Sequence, residues 1–321
     1  MKAIFCERVG DLQSVTLQEV PEVVPRAHET VVAVHAAGLN RADLLQMAGR
    51  YPAITGETAL LGLECAGIDL ETGQQVCALL PGGGFAERVA VPREMLMPIP
   101  KHWSLLQAAA MPEAFLTAYL NLYLHGKLEN GERVLVHAAA SGVGTAAIML
   151  AKIKGCDIIA TTRSEEKRTF LQQLGASLVL CPSPSCSLEQ MYASHLPAGV
   201  DVILDVLGGA CLNTHLNLLH QGGRLTMIAL MQGARADIDL SVLLRKDLQV
   251  TGSTLRTKPL NDKIKLVKRF LKDIAPLFDT GQLTPVLDSV WPVEQAKMAF
   301  LRMKNNQNQG KIVLDWQALC K

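Results

Sequence analysis

Arg133-Val-Leu-Val-His-Ala-Ala-Ala-Ser-Gly-Val-Gly-Thr-Ala-Ala-Ile-Met-Leu-Ala-Lys152 reads as a strand, a tight turn and a helix in immediate succession. Val134 to Val136 is a buried apolar strand, Ala138 to Gly144 a turn of small residues, and the alanine-rich remainder spaces its apolar residues at helical intervals. Small residues let backbone N–H groups at the helix N-terminus approach a pyrophosphate closely, and the helix dipole favours negative charge there. A strict G-x-G-x-x-G would place glycines where Ala139, Ser141 and Gly144 stand, and Gly142 is added between the last two. Alanine disfavours a left-handed turn, so the geometry at Ala139 must differ from the glycine version. Tight strand-to-helix turns without a ligand share this pattern, and the segment that follows has to separate the two readings.

Asp157 to Thr162 is a second strand and Glu165 to Leu174 a second helix, with Ser164 at its N-cap. About 20 residues past the glycine turn, an NAD-binding unit presents an acid to the ribose 2′-hydroxyl. Here the chain offers Arg163 and Ser164, then Lys167 and Arg168. A carboxylate would repel a 2′-phosphate, whereas these cations attract it, so the residue types predict NADP over NAD. A charged helix start facing water would explain Lys167 and Arg168 but not the missing acid.

The 321 residues are 49% hydrophobic and 19% charged with a net charge of +1, as in an ordinary globular protein of about two domains. That balance gives no argument for a nucleic-acid or membrane partner. No segment has the run of 18 or more apolar residues of a membrane span, and Met1-Lys-Ala-Ile-Phe5 lacks signal-peptide architecture, so the cytoplasm is the expected location. The eight cysteines are scattered with no C-x-x-C pair, which signals neither a disulfide framework nor a zinc knuckle.

Before residue 100 the chain is rich in short strands and turns: Thr30 to Ala36, Leu60 to Gly67, Gln75 to Leu80 and Phe85 to Val91, with a short helix at Leu44 to Met47 and a turn at Pro81 to Gly84. This predicts a separate β-rich domain. Leu105 to Leu124 is helical. Strands then recur at Asp201 to Val206, Gly223 to Ile228 and Leu248 to Thr254, the spacing of a parallel sheet with crossover helices. A helix from Lys263 to Phe278, a strand from Val286 to Val290, a helix from Val293 to Lys304 and a strand from Lys311 to Leu314 complete the chain.

Gly38-Leu-Asn-Arg-Ala-Asp43, Gly49-Arg-Tyr-Pro52, Leu61 to Gly67, Gly82 to Glu87, Pro112 to Tyr119, His137 to Gly144 and Gly310 to Leu314, in that order, resemble the quinone oxidoreductase branch of the medium-chain dehydrogenase/reductase superfamily. Pro112 to Tyr119 and Gly252-Ser-Thr-Leu-Arg256 look closest to the stress-inducible NADPH quinone reductases related to ζ-crystallin. The resemblance implies an α/β fold: a GroES-like β-rich domain from residues 1–116 and 257–321, and a Rossmann domain, doubly wound in the order 3-2-1-4-5-6, from residues 117–256. It further implies a cleft between them and a homodimer formed through the Rossmann domains. For the NADPH cofactor it implies Ala140, Ser141, Gly142, Val143, Gly144 and Thr145 at the pyrophosphate and Arg163, Ser164 and Lys167 at the 2′-phosphate. Leu207, Gly208, Leu230 and Leu255 would line the groove, with Asn308 toward the nicotinamide.

Zinc alcohol dehydrogenases of the superfamily carry a Cys near Asn40, a His at Leu63 and a Cys near Glu113. Leucine supplies no ligand, so no catalytic metal is expected. What remains is hydride delivery to an acceptor already electrophilic, a quinone or an α,β-unsaturated ketone. Asn40 and Tyr51 are the candidate catalytic residues, Asn40 to meet the acceptor oxygen or the cofactor and Tyr51 to orient the acceptor or supply a proton, although Asn is common in turns and Tyr51-Pro52 can simply anchor a loop. Arg41 and Asp43 read as a local capping or ion pair, His137 as a hydrogen-bonded core histidine, and Glu64 as a structural acid. Two other readings stand beside the quinone reductase: an enoyl-thioester reductase, and an NADPH-binding protein with a structural or RNA-binding role.

Overall fold

The structure is a computed structural model and describes residues 1–182 and 186–317. It divides into two compact units, Met1–Leu116 with Leu255–Lys321, and Thr117–Thr254. In chain order the first unit begins with β1 (Lys2–Cys6), β2 (Val15–Glu19), β3 (Glu29–Gly38), α1 (Arg41–Met47), β4 (Glu64–Asp69), β5 (Gln75–Leu79), β6 (Arg88–Pro92), β7 (Leu96–Pro98) and α2 (Leu105–Ala108). α3 (Pro112–Tyr119) follows, then a π-helical turn at Leu120–His125. The continuous helix expected over Leu105 to Leu124 is therefore broken. Proline disfavours helical geometry in the residue before it, so Pro112 starts a helix of its own.

The second unit is made of β8 (Arg133–Val136), α4 (Gly142–Ile153), β9 (Asp157–Thr161), α5 (Arg168–Leu174), β10 (Leu178–Leu180), α6 (Leu188–His195), β11 (Val200–Asp205), α7 (Leu212–Leu218), β12 (Leu219–Met227), α8 (Leu240–Lys246) and β13 (Gln249–Gly252). Its six strands are all parallel and run β10-β9-β8-β11-β12-β13, the doubly wound order the family resemblance implied. Leu135, Ile159, Ile203 and Leu225 on the strands pack with Leu216 and Val242 from the helices, which is why the strands read as continuous apolar runs.

The chain then returns to the first unit through α9 (Leu260–Asp279), β14 (Leu287–Pro292), α10 (Ala296–Lys304) and β15 (Lys311–Asp315). Its sheet runs β14-β15-β3-β4-β5-β7, with β6 also on β3. β15 thus pairs with a strand from the opposite end of the chain, antiparallel, Val313 opposite Gly38. α9 buries Ile264, Val267, Phe270, Ile274 and Phe278 at spacings of three and four, and Phe278 meets Trp103 and Phe115 edge-on at 4.9 and 5.1 Å.

Two strands start later than their apolar runs suggest. Leu60 to Leu63 and Phe85 to Glu87 lie instead outside the strands, and Gly83 N–H donates to Leu60 O, Gly84 N–H to Gly62 O and Phe85 N–H to Leu61 O at 2.9–3.0 Å. Burial without ladder pairing looks the same in sequence as a strand. No helix among the described residues is long and apolar enough to cross a membrane.

Candidate functional site

In the second unit, β8 runs into α4 through Ala138, whose φ is +47°, so the left-handed residue sits one position before Ala139. Ser141 is the N-cap of α4: its Oγ accepts the Gly144 N–H at 3.0 Å and its carbonyl accepts Thr145 N–H at 2.8 Å. Gly142 and Val143, in the first turn, have no acceptor inside the helix for their N–H groups. A Cβ on Gly144 would lie 2.5 Å from Ala139 O and 2.6 Å from Ala138 O, so only glycine lets α4 sit this close to the turn. Close backbone, small side chains from Ala140 to Gly144 and outward N–H groups are what a pyrophosphate requires, and the residues present fit that group.

The segment after β9 is less uniform. Arg163 is exposed and forms no ion pair among the described residues, leaving its guanidinium available to an anion. Ser164 takes up the extended backbone of a cap, but its hydroxyl donates to Glu166 Oε1 at 2.9 Å instead of capping an N–H. Lys167, expected at the 2′-phosphate, is only 8% exposed: it ends a 3₁₀ turn (Glu165–Lys167) and faces inward. Arg168 is paired with Glu165. Arg163 therefore carries the 2′-phosphate expectation almost alone.

Asp205 ends β11 with its carboxylate accepting Leu207 N–H at 2.7 Å and Gly208 N–H at 3.1 Å. The loop turns through Gly208 at φ +60° and is tied to the next one by Met231 N–H to Val206 O (3.0 Å) and Gln232 N–H to Leu207 O (2.8 Å). Leu207, Gly208 and the half-exposed Leu230 are thereby brought together. Leu255 and Asn308 belong to the first unit, where Leu255 is buried and Asn308 donates to Gly310 O. His137 is buried as a core histidine, its Nδ1 2.9 Å from Thr161 Oγ1, and burial pushes its imidazole down to about 3, so it stays neutral.

In the first unit a buried polar network joins β3, β4, α1 and β15. Lys311 Nζ donates to Leu39 O and Asn40 Oδ1, each at 2.8 Å, and pairs with Glu64 Oε1. Asn40 Nδ2 donates to Glu64 Oε1 at 2.8 Å, and Glu64 Oε2 accepts Glu113 N–H at 2.8 Å. Both ends of the Asn40 amide are thus engaged within the unit. Gly38 is glycine because a Cβ there would run into Glu64. Asp43 caps α1 by accepting Asn40 N–H at 2.7 Å, while Arg41 donates to Asn306 Oδ1 at 2.9 Å. Burial, then the Glu64 charge, push the Glu113 carboxyl up to about 8.

Tyr51 is half-buried under the Arg256 guanidinium, 5.1 Å from the ring centroid. Arg256 is held by Pro81 O (2.9 Å) and Tyr51 O (3.3 Å), and Lys263 Nζ donates to its carbonyl at 2.7 Å. Burial, with Glu113 nearby, raises the phenol to about 12. Tyr51 is therefore a poor acid at neutral pH. Lys311 and Arg256, the cations that organise this unit, give no local signal in the sequence, because their partners lie far away along the chain.

Residues 26–101 match the family of alcohol dehydrogenase GroES-like domains, and residues 142–272 the family of zinc-binding dehydrogenases. The chain is 34% identical to the quinone oxidoreductase of Thermus thermophilus, solved alone and with NADPH, at a TM-score of 0.82 over 98% of this chain and all of that one. The JamJ enoyl reductase is 26% identical, with a TM-score of 0.85 over 98% of each chain. The spectinabilin polyketide synthase system protein NorB of Streptomyces orinoci is 36% identical over 95% of this chain. The chain spans only 14% of that protein and 14–19% of the other polyketide synthases it matches.

A parallel-sheet dinucleotide unit joined to a GroES-like unit, with these relatives, defines the class: the chain belongs to the medium-chain dehydrogenase/reductase superfamily. Within it, the likeness to the Thermus quinone oxidoreductase is consistent with the zinc-free quinone reductase branch.

Proposed function

We propose that the protein is an NADPH-dependent reductase of quinones or related α,β-unsaturated carbonyls that works without a catalytic zinc. The observation that carries this reading is the Lys311–Glu64–Asn40 network. Where zinc relatives gather ligands, this chain has Leu63, buried, and an Asn40 whose oxygen is already occupied by an ammonium. A fixed cation and a leucine make a poor metal site, which favours acceptors that need no Lewis acid.

The nicotinamide, when bound, supplies the hydride. Ser141 and the first turn of α4 hold the pyrophosphate, Arg163 selects the 2′-phosphate, and Leu207, Gly208 and Leu230 line the groove. Asn40 is a positioning residue that holds Glu64 and Lys311 in register. Tyr51 orients the acceptor as a hydrogen-bond donor and keeps its proton, and the reduced oxygen takes a proton from solvent. The partners are small molecules and a second copy of the chain.

The enoyl-thioester reductase is the second reading, favoured by the likeness to the JamJ enoyl reductase and to polyketide synthases. Steady-state oxidation of NADPH and NADH with 1,2-naphthoquinone, 1,4-benzoquinone, a simple enone and crotonyl-CoA, with and without a zinc chelator, separates the two. Chelator-insensitive turnover of quinone with NADPH is the expected result. Faster turnover of the thioester moves the assignment to the second reading, and tight NADPH binding with no turnover sinks both.

A further inference from the structure

The second unit holds a buried cluster that the hydride chemistry does not use. His137 follows β8, Asp205 ends β11 and His215 lies on α7, each no more than 1% exposed. One ligand atom from each lies within 4.8 Å of the other two, and the imidazole rings are 4.6 Å apart. Two members are already oriented from behind. Thr161 Oγ1, at 2.9 Å, fixes His137 through Nδ1 and turns Nε2 inward, where the Tyr192 hydroxyl approaches at 3.4 Å. The Leu207 and Gly208 N–H groups hold the Asp205 carboxylate. Hydrogen bonds of this kind, from outside the ligand set, orient metal ligands.

The third member is the anomaly. His215 is fully buried, yet among the described residues neither ring nitrogen has a hydrogen-bond partner, and its Nδ1 stands 3.8 Å from Asp205 Oδ2. A buried polar atom without a hydrogen bond is costly, and here both nitrogens of one ring lack one, Nδ1 having only the long approach to Asp205. Burial alone does not explain a histidine at this position, since a leucine would fill the space without that cost.

We propose that His137, Asp205 and His215 form a binding site for a single divalent transition-metal ion of the zinc type, separate from the hydride-transfer chemistry. Two imidazoles and one carboxylate are a ligand set such ions accept, with a fourth position left to water or Tyr192. Bonds of about 2.0–2.1 Å place tetrahedral ligand atoms roughly 3.4 Å apart. A bound ion would draw the three ligand atoms in from their present spacing to that distance. The ion uses the idle His215 nitrogen, and because Asp205 also holds Leu207 and Gly208, it stiffens the loop they form.

The test uses the full chain. Protein is incubated with Zn²⁺, or with Co²⁺ as the spectroscopic probe, dialysed against a weak chelator, and assayed for metal content alongside His215→Leu and, as a control, the exposed His28→Ala. The expected result is one equivalent retained by the wild type and by H28A and lost in H215L, with a metal-dependent rise in Tm only in the first two. No retained metal in the wild type, or equal retention in H215L, overturns the proposal. Should H215L not fold, the wild type alone decides. X-ray absorption of the bound zinc must show a nitrogen and oxygen shell with imidazole scattering, and a sulfur shell, or no stoichiometric ion, overturns the site.

Discussion

Asp43 is completely buried and its Oδ1 has no hydrogen-bond partner among the described residues, while Oδ2 accepts the Asn40 N–H. Burial raises its carboxyl from 3.8 to about 7, against the pull of that N–H and of Lys311. Between those two values the folded protein holds a proton the unfolded chain has released, so this group makes stability fall as pH rises through the window. Asp43→Asn keeps the cap acceptor and removes the titration. The variant should therefore show a flatter dependence of the denaturant midpoint between roughly pH 4 and 7. An unchanged slope would mean that Asp43 is ionised in the fold. Arg163 is the other residue whose chemistry is exposed to test. If it meets the 2′-phosphate, Arg163→Asp should weaken NADPH about tenfold to a hundredfold relative to NADH, the worth of one charge-assisted hydrogen bond. Equal weakening of both cofactors, by calorimetry, places Arg163 elsewhere.

At the scale of the element, α4 and its turn work as one unit. Ser141 caps the helix, Ala138 takes the left-handed residue, and Gly144 lets the backbone pack against Ala138 O and Ala139 O. Gly144→Ala would force those carbonyls apart, because they are backbone and cannot swing aside. The expected outcome is a loss of about 1–3 kcal/mol, as for an overpacked site, together with weakened binding of NADPH and NADH alike. A variant with wild-type Tm and cofactor affinity would show that the turn relaxes freely. The first unit has its counterpart in β15, which brings Lys311 to Glu64 and Asn40. A fully buried acid on β4 is tolerable only because a distant strand supplies the cation, with the half-buried Asn40 amide before α1 bonded to both.

For the whole molecule, the parallel sheet ends at β13, an edge strand whose Val250 is 44% exposed, near α8 with Leu240 and Leu244 also exposed. An open edge with apolar side chains invites pairing with a second strand. We expect a homodimer joined through this edge, so Val250→Glu should shift the protein toward monomer in size-exclusion light scattering while leaving its Tm within a few degrees. A wild type that is monomeric at micromolar concentration removes the expectation.

Much of this architecture is legible in the chain itself. The strand, turn and helix at 133–152 form where the residue types put them, and five of the six parallel strands follow from apolar runs at crossover spacing, because periodicity and small-residue turns are local properties, whereas the three-residue β10 (Leu178–Leu180) is too short to stand out in the sequence. The quinone reductase motifs likewise follow from residue type and order. What the chain does not display is who partners whom. Asn40 looks like a free amide until Lys311, 271 positions away, is seen to occupy it, and Lys167 looks like an exposed cation until packing turns it inward. His215 looks like any helical histidine, and only the fold sets it beside Asp205 and His137. Propensity fixes elements over a few residues, but hydrogen-bond saturation and burial are settled by contacts between strands and helices far apart in sequence, and those exist only in the folded molecule.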